Sequence, residues 1–392
     1  MKQPLDGIRV IEFTHMVMGP AVGAILASLG AEVVRVEPIG GDRTRHLLGS
    51  GAGYFPMFNR HKASICLDLK QAEGVAVARR LIGGADVLVE NYRPGAMDRL
   101  GLGYAALSAS NPRLIYCSQK GFLPGPYENR TALDEVAQMM GGLAYMTGPP
   151  GRPLRAGASV IDITGAMFGV IATLAAIEER HRTGRGQLVQ SSLFETTAYL
   201  IGQHMAQLAV TGKASDPMPA RVSAWAVYDV FETRDGAAVF VGVVSDSLWE
   251  KFCGLFGLDE LWADVGLREN NARVMQRDRL LPVIREHLCK FTREELLARL
   301  EGTGIPFAPI GRPQDMFDDP HLNASGALEA VTLLGGAKTR LPALPLEMDG
   351  RRLARSTVLP EGGADSRAVL RDLGLSEDEI EQLIARGAVG AA

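Results

Sequence analysis

The sequence predicts an α/β fold, a Rossmann-like large domain followed by a small α+β domain. Three observations predict it. Up to about residue 205, short Val- and Ile-rich runs alternate with helical stretches at the spacing of βαβ units, which build parallel sheets. Beyond that, an alternating stretch turns at Asp235-Gly236, the mark of an antiparallel hairpin. And 392 residues are too many for one compact core, so two domains are the default.

Each element has its own signal. "GIRVIEF" is a short apolar strand, "GPAVGAILASLGA" a helix with small residues on its packing face, and "EVVRVEP" a second strand, together one βαβ unit. "ASICLDL", "DVLVENY" and "RLIYCSQKGF" are further strands, and "KQAEGVAVARRLIGGA" is an amphipathic helix with a Gly-Gly stop. The stretch "LDEVAQMMGGLAYMTG" reads as helical. A Pro/Gly loop then leads to a long helix after Asp162, which ends in basic residues and a glycine. "LVQSSL" and a helix to about Val210 complete this part. The hairpin "WAVYDVFETRDGAAVFVGVV" is followed by "DSLWEKFCGLFG", "RDRLLPVIREHLCKF" and "TREELLARLEGTG", all helical. The last part is loop-rich and ends in a helix capped by Ser376. The expected organisation is a large domain over 1–205, a small one over 206–323, and a segment over 324–392 that returns to the first.

Composition narrows the function classes. Hydrophobic residues at 46% and charged residues at 22% are ordinary for a soluble globular protein. A net charge of −4 gives no reason to expect a nucleic acid partner. Cys66, Cys117, Cys253 and Cys289 sit in apolar contexts without a C-x-x-C pair, so buried free thiols in a reducing compartment are expected. The N-terminus "MKQPLDGIRVIEF" lacks a signal-peptide core. The most apolar stretch, 159–177, is broken by Asp162 and reads as a buried helix, not a membrane span. A cytoplasmic protein is expected.

Familiar cofactor motifs are missing. The turn after the first strand, "FTHMVMGP", lacks the G-x-G-x-x-G that lets backbone approach a pyrophosphate. There is no P-loop, no G-x-S-x-G elbow, and no histidine pair at metal-ligand spacing, so no metal is expected. What stands out is Asp162, the lone charge in "GASVIDITGAMFGV". A carboxylate there can cap the helix, accepting its orphan N–H groups. It can equally be held ionised by those donors and attack an activated acyl group.

The order of "PLDGIRVIEFTHMVMGP", "LGAEVVRVEPIGGDRTR", "FNRHKASICLDLK", "ADVLVENYRPGAMDRLGLGY", "NPRLIYCSQKGF", "HRTGRGQLVQSSLFE" and "GIPFAPIGRPQDMFDDPHL" resembles the family III (CaiB/BaiF-type) CoA transferases over essentially the whole chain. The N-terminal part looks most like the formyl-CoA:oxalate and acetyl-CoA:oxalate branch. The resemblance implies that Asp162 is the catalytic nucleophile. It would carry CoA from an acyl-CoA donor to a carboxylic acid acceptor, a small dicarboxylate, through anhydride and aspartyl-CoA thioester intermediates. CoA thioester is then a substrate, and no tightly bound cofactor is implied. Carried over position by position, the CoA contacts are Val17, Met18, Leu67, Lys70, Asn91, Tyr92, Arg93, Arg99, Lys120 and Arg130. The family also implies a homodimer of interlocked rings.

Departures from the family pattern bear on the substrate. Val17 stands where the formyl-CoA transferases carry Gln, Pro38 where they carry an Arg, and "ARVSAWAVYDVF" replaces a run of glycines. Ser223 or Trp225 is then a candidate for the acyl pocket. Arg43 and Arg45 either meet a second carboxylate or face solvent. Leu133 stands where the related 2-methylacyl-CoA racemases carry a histidine. Racemisation needs an acid and a base on opposite faces of the α-carbon, and leucine can be neither. A racemase or epimerase, and a non-catalytic CoA-binding protein, are the alternatives.

Overall fold

The Val- and Ile-rich runs become the strands of one seven-stranded sheet in a computed structural model that describes residues 3–221 and 223–392. The first elements are β1 (Arg9–Phe13), α1 (Met18–Ser28), β2 (Glu32–Glu37), α2 (Tyr54–Phe58), β3 (Lys62–Leu67) and α3 (Ala72–Gly83). Next come β4 (Val87–Glu90), α4 (Ala96–Arg99), α5 (Tyr104–Ser110), β5 (Ile115–Lys120), α6 (Asp134–Met140) and α7 (Leu143–Thr147). Then follow α8 (Val160–Thr183), β6 (Leu188–Ser192), α9 (Leu193–Leu200) and α10 (Gly202–Thr211). The sheet order is β3-β2-β1-β4-β5-β6, all parallel, with Val389–Gly390 added antiparallel outside β3. The order reverses between β1 and β4. Ligands of open α/β sheets bind in the crevice beyond the strand ends at such a point.

Both faces of the sheet are covered, as parallel sheets require. Val10, Val33, Val87 and Ile115 pack under α1 and α8; Ile11, Val34, Ile65 and Leu88 pack under α3, α5 and the C-terminal helices. Helix α8 is apolar and long enough to cross a membrane, yet it lies along the sheet beside α1. Glycine permits its close approach. A Cβ at Gly165 would lie 2.5 Å from Met18 Cε, and one at Gly169 would lie 2.2 Å from Gln119 Nε2.

The expected helix from Leu133 is two helices, because Gly142 adopts φ +87° between α6 and α7. Likewise the helix expected to run to Val210 breaks at Ile201-Gly202 into α9 and α10. The last part of the chain is more than loops. Leu328–Thr332 and Lys338–Pro342 form an antiparallel pair, and Glu329 there binds Arg60 at 2.6 Å and His61 at 3.0 Å. The outer edge of β3 is satisfied by the same part of the chain. Asp365 accepts from the Ser64 amide at 2.8 Å, Ser366 from the Cys66 amide at 3.3 Å, and Val389 pairs with Leu67.

The chain divides into one unit of Met1–Pro219 with Pro320–Ala392 and a second of Ala220–Asp319. Boundaries at 205 and 323 would cut α10 and the helix Pro320–Ala324, which is why the division falls outside both. The second unit holds a hairpin of Tyr228–Glu232 and Ala238–Gly242, turning at Gly236 with φ +75°, and a third strand Phe307–Pro309. Trp249, Phe252, Leu280 and Ile284 form its core. Three cysteines are buried and unpaired as expected, but Cys289 is exposed. It caps the end of helix Arg277–Leu288, off that helix's apolar stripe.

Candidate active site

Beyond the ends of β1, β4 and β5 lies a cavity of about 210 Å³, lined by the turn His15–Met18, Tyr54, Asn91, Gln119–Gly121, Ala132–Glu135, Arg155, Ser159, Asp162 and Leu193. Asp162 enters it from the first turn of α8. It is not the cap of that helix. Its position is the third residue, behind Ser159, whose side chain makes no capping bond.

The cap comes from elsewhere in the sequence. Asp134, the first residue of α6, accepts from the amides of Ile161 at 2.8 Å and Asp162 at 3.1 Å. It therefore takes the orphan donors at the start of α8 that Asp162 was expected to use. Gln138, one turn along α6, holds Asp134 at 2.5 Å and accepts from the Ala156 amide at 2.9 Å, fixing the loop before α8. The consequence is electrostatic. Burial, and then the neighbouring Asp134 carboxylate, push Asp162 up to about 7, with Arg155 pulling the other way. The expectation that backbone donors hold Asp162 ionised is corrected, since those donors serve Asp134.

Four of the sequence-derived contacts, Val17, Met18, Asn91 and Lys120, line the same cavity as Asp162. Val17 and Met18 are buried at the start of α1. The Asn91 side chain is bound to backbone: it accepts from the His15 amide and donates to the His15 carbonyl, both at 2.9 Å. This clamp secures a turn in which Met16 holds φ +62°, a costly value for a residue with a side chain. Leu67, Lys70 and Tyr92 line a second depression, of about 430 Å³, with Pro38 and Ile39. Arg93 and Lys120 line a third, of about 300 Å³, with Glu90, Tyr104 and Tyr116. Lys120 is paired there with buried Glu90 at 3.0 Å. Arg99 and Arg130 line none of the three; both are exposed, and Arg130 stacks on Tyr127 at 5.0 Å.

Arg45 is not available to a second carboxylate. It is bound to Glu37 at 2.5 and 2.8 Å, donates to the Pro360 carbonyl and stacks on Phe55. Arg43 is exposed. Ser223 and Trp225 belong to the second unit, where the Trp225 ring lies 5.0 Å from that of Tyr228; Val222 in the same run lies outside the described residues. Asp134, Gln138 and Arg155 are what sequence reasoning missed. The one signal was the four-residue spacing of Asp134 and Gln138, which sets both on one face of α6.

The model of CoA-transferase family III matches residues 5–366. The chain is 30% identical to the succinyl-CoA:glutarate CoA-transferase of Mus musculus, over 99% of this chain and 90% of that one. It is 35% identical to the acetyl-CoA:oxalate CoA-transferase of Acetobacter aceti, over 89% and 90%. The crystal structure of a CaiB/BaiF family protein from Brucella suis superposes with a TM-score of 0.85 at 33% identity, covering 95% of this chain and all of that one.

Proposed function

Since the chain belongs to CoA-transferase family III and transfers CoA, we propose that Asp162 is its nucleophile and that a small dicarboxylic acid is one of the two exchanged acids. The observation that carries this reading is the position of Asp162: partly buried, in a cavity at the sheet's reversal point, with its helix already capped by Asp134. A carboxylate freed from capping has its oxygens available for attack. The two relatives described above, named for glutarate and oxalate, support the dicarboxylate.

The course has four steps. Ionised Asp162 attacks the donor thioester carbonyl; a mixed anhydride forms and CoA leaves as the thiolate. The thiolate attacks the aspartyl carbonyl, the donor acid leaves as its carboxylate, and an aspartyl-CoA thioester remains. An acceptor carboxylate attacks that thioester and expels the thiolate again. The thiolate then attacks the acceptor's carbonyl, which releases the new acyl-CoA and ionised Asp162. Every step exchanges activated acyl groups, so no ATP is needed.

In this reading the CoA chain runs from Val17, Met18, Asn91 and Lys120 near Asp162 toward Leu67, Lys70 and Tyr92 on its nucleotide side. Arg93, Arg99 and Arg130 would serve its phosphates. The binding part is the large α/β domain, which supplies every residue of these three depressions. Leu133, more than half exposed at the cavity, carries no titratable group, which disfavours the racemase alternative. We further propose a homodimer of interlocked rings. Helix α10 buries none of its residues, leaving Met205, Leu208 and Val210 exposed near Tyr199 in sequence. On α8, Met167, Ile171 and Leu174 line an apolar groove with Ile25 and Leu344. Surfaces of this kind call for a partner. The reaction would take place in the cytoplasm, where unpaired thiols stay reduced.

The test is Asp162→Ala. Asp162 does not cap α8, so the variant keeps its circular dichroism spectrum while exchange of CoA between acids is lost. With acyl-CoA alone, the wild type should gain the mass of an aspartyl-CoA adduct and the variant should not. Wild-type exchange rates in the folded variant would refute the nucleophile.

A further inference from the structure

Among the described residues, three basic groups line the cavity that holds Asp162: His15, Lys120 and Arg155. Two are unsuited to binding an acid's carboxylate. Desolvation lowers His15 below its usual value, so it is neutral at pH 7. Lys120 is paired with Glu90, which is buried and also accepts from Ser118 and the Tyr92 amide. Arg155 is different. Its Nε donates to the Ala156 carbonyl at 3.1 Å and its Nη2 to the Ala158 carbonyl at 3.2 Å, and Nη2 lies 3.4 Å from Asp134. These contacts fix the plane of the guanidinium. The remaining partner, on Nη1 at 3.2 Å, is Glu135, whose side chain is 59% exposed. An exposed ion pair is worth little and exchanges readily.

We propose that Arg155 takes the distal carboxylate of a dicarboxylic acid acceptor by exchanging Glu135 for it, beside Asp162. The inference rests on Asp162 being the nucleophile. A pre-oriented guanidinium is well suited to a carboxylate, and Nη1 is the nitrogen that Glu135 would vacate for it. The reach is short, because one carboxylate bridges the two points. Asp134 touches Arg155 through one oxygen and the Asp162 amide through the other, at 3.1 Å. Charge also sets an order. Before reaction the cavity holds three carboxylates, Asp134, Glu135 and Asp162, against Arg155. Conversion of Asp162 to a neutral thioester removes one of the three just before the dianion must enter. Glu135 then stands in the free enzyme for the carboxylate that the acceptor brings.

The experiment compares succinate with butyrate, acids of equal chain length, as acceptors from acetyl-CoA, and reads the ratio of their kcat/KM values. Arg155→Gln should lower the succinate/butyrate ratio by about 10- to 100-fold, the loss of one charge-assisted contact, with the change in KM. Glu135→Gln, on the exposed side of α6, should raise the ratio several-fold by removing the competitor. Equal losses for both acids in Arg155→Gln, or an unchanged ratio in Glu135→Gln, would overturn the proposal. Intact mass with acetyl-CoA alone separates the two readings. Absence of the wild-type adduct refutes the nucleophile, whereas an adduct with insensitive ratios refutes only the role of Arg155.

Discussion

Two aspartates divide between them the tasks that one was expected to perform. Asp134 caps α8 and holds its start in place; Asp162 is left with unengaged oxygens and a proton affinity raised to about 7 by burial and by Asp134 itself. Only the ionised form attacks, so the donor half-reaction should rise with pH through about 7. Asp134→Asn removes the like charge that raises Asp162, so the inflection should move to lower pH. Asn caps a helix about as well as Asp, so stability should change by less than the ~0.5–2 kcal/mol that losing a cap costs. A pH profile of adduct formation, with a denaturant titration beside it, reads both effects. A profile that stays in place, or moves up, would show that Asp134 acts only through the cap. Sequence reasoning could find Asp162 because a lone charge in an apolar run is conspicuous. Asp134 is not, for its partner amides lie 27 and 28 residues away and no local pattern marks them.

Elements were legible where a period repeats. The strands β1 to β5 and helix α8 follow from apolar runs flanked by turns, and the parallel sheet from their alternation with helices; the strand order does not. What escaped are features made by a single residue's backbone or by distant pairing: the break at Gly142, the turn at Met16, and the two-residue strand Val389–Gly390, too short to carry any pattern. The β1–α1 turn gives the next prediction. Asn91→Ala removes both bonds to His15 while Met16 still has to hold its positive φ. The turn should relax and acyl-CoA binding weaken by about 1–3 kcal/mol, roughly 5- to 150-fold in Kd. Isothermal titration with CoA measures it. Asn91→Asp, which can still accept from the His15 amide, should fall between wild type and alanine. Equal affinity in all three proteins would leave the clamp without a part in binding.

At the scale of the whole molecule, the family relationship and the exposed apolar faces of α8 and α10 lead to the same expectation. Linked rings cannot separate without unfolding, so dissociation should be slow and coupled to denaturation. Light scattering on dilution, with a denaturant titration, tests it; a folded monomer at low concentration would exclude interlocking. Within the first unit, the outer edge of β3 is completed by Asp365, Ser366 and Val389 from the far end of the chain. The second unit is inserted between the two parts. A ribosome therefore makes the sheet's centre early, an entire separate unit next, and the covering for that edge last. Throughout that interval β3 offers unpaired backbone groups to any neighbouring nascent chain. The growing polypeptide is thus most open to faulty pairing while its sheet is nearly complete, and protection comes only once the residues beyond the second unit have left the exit tunnel.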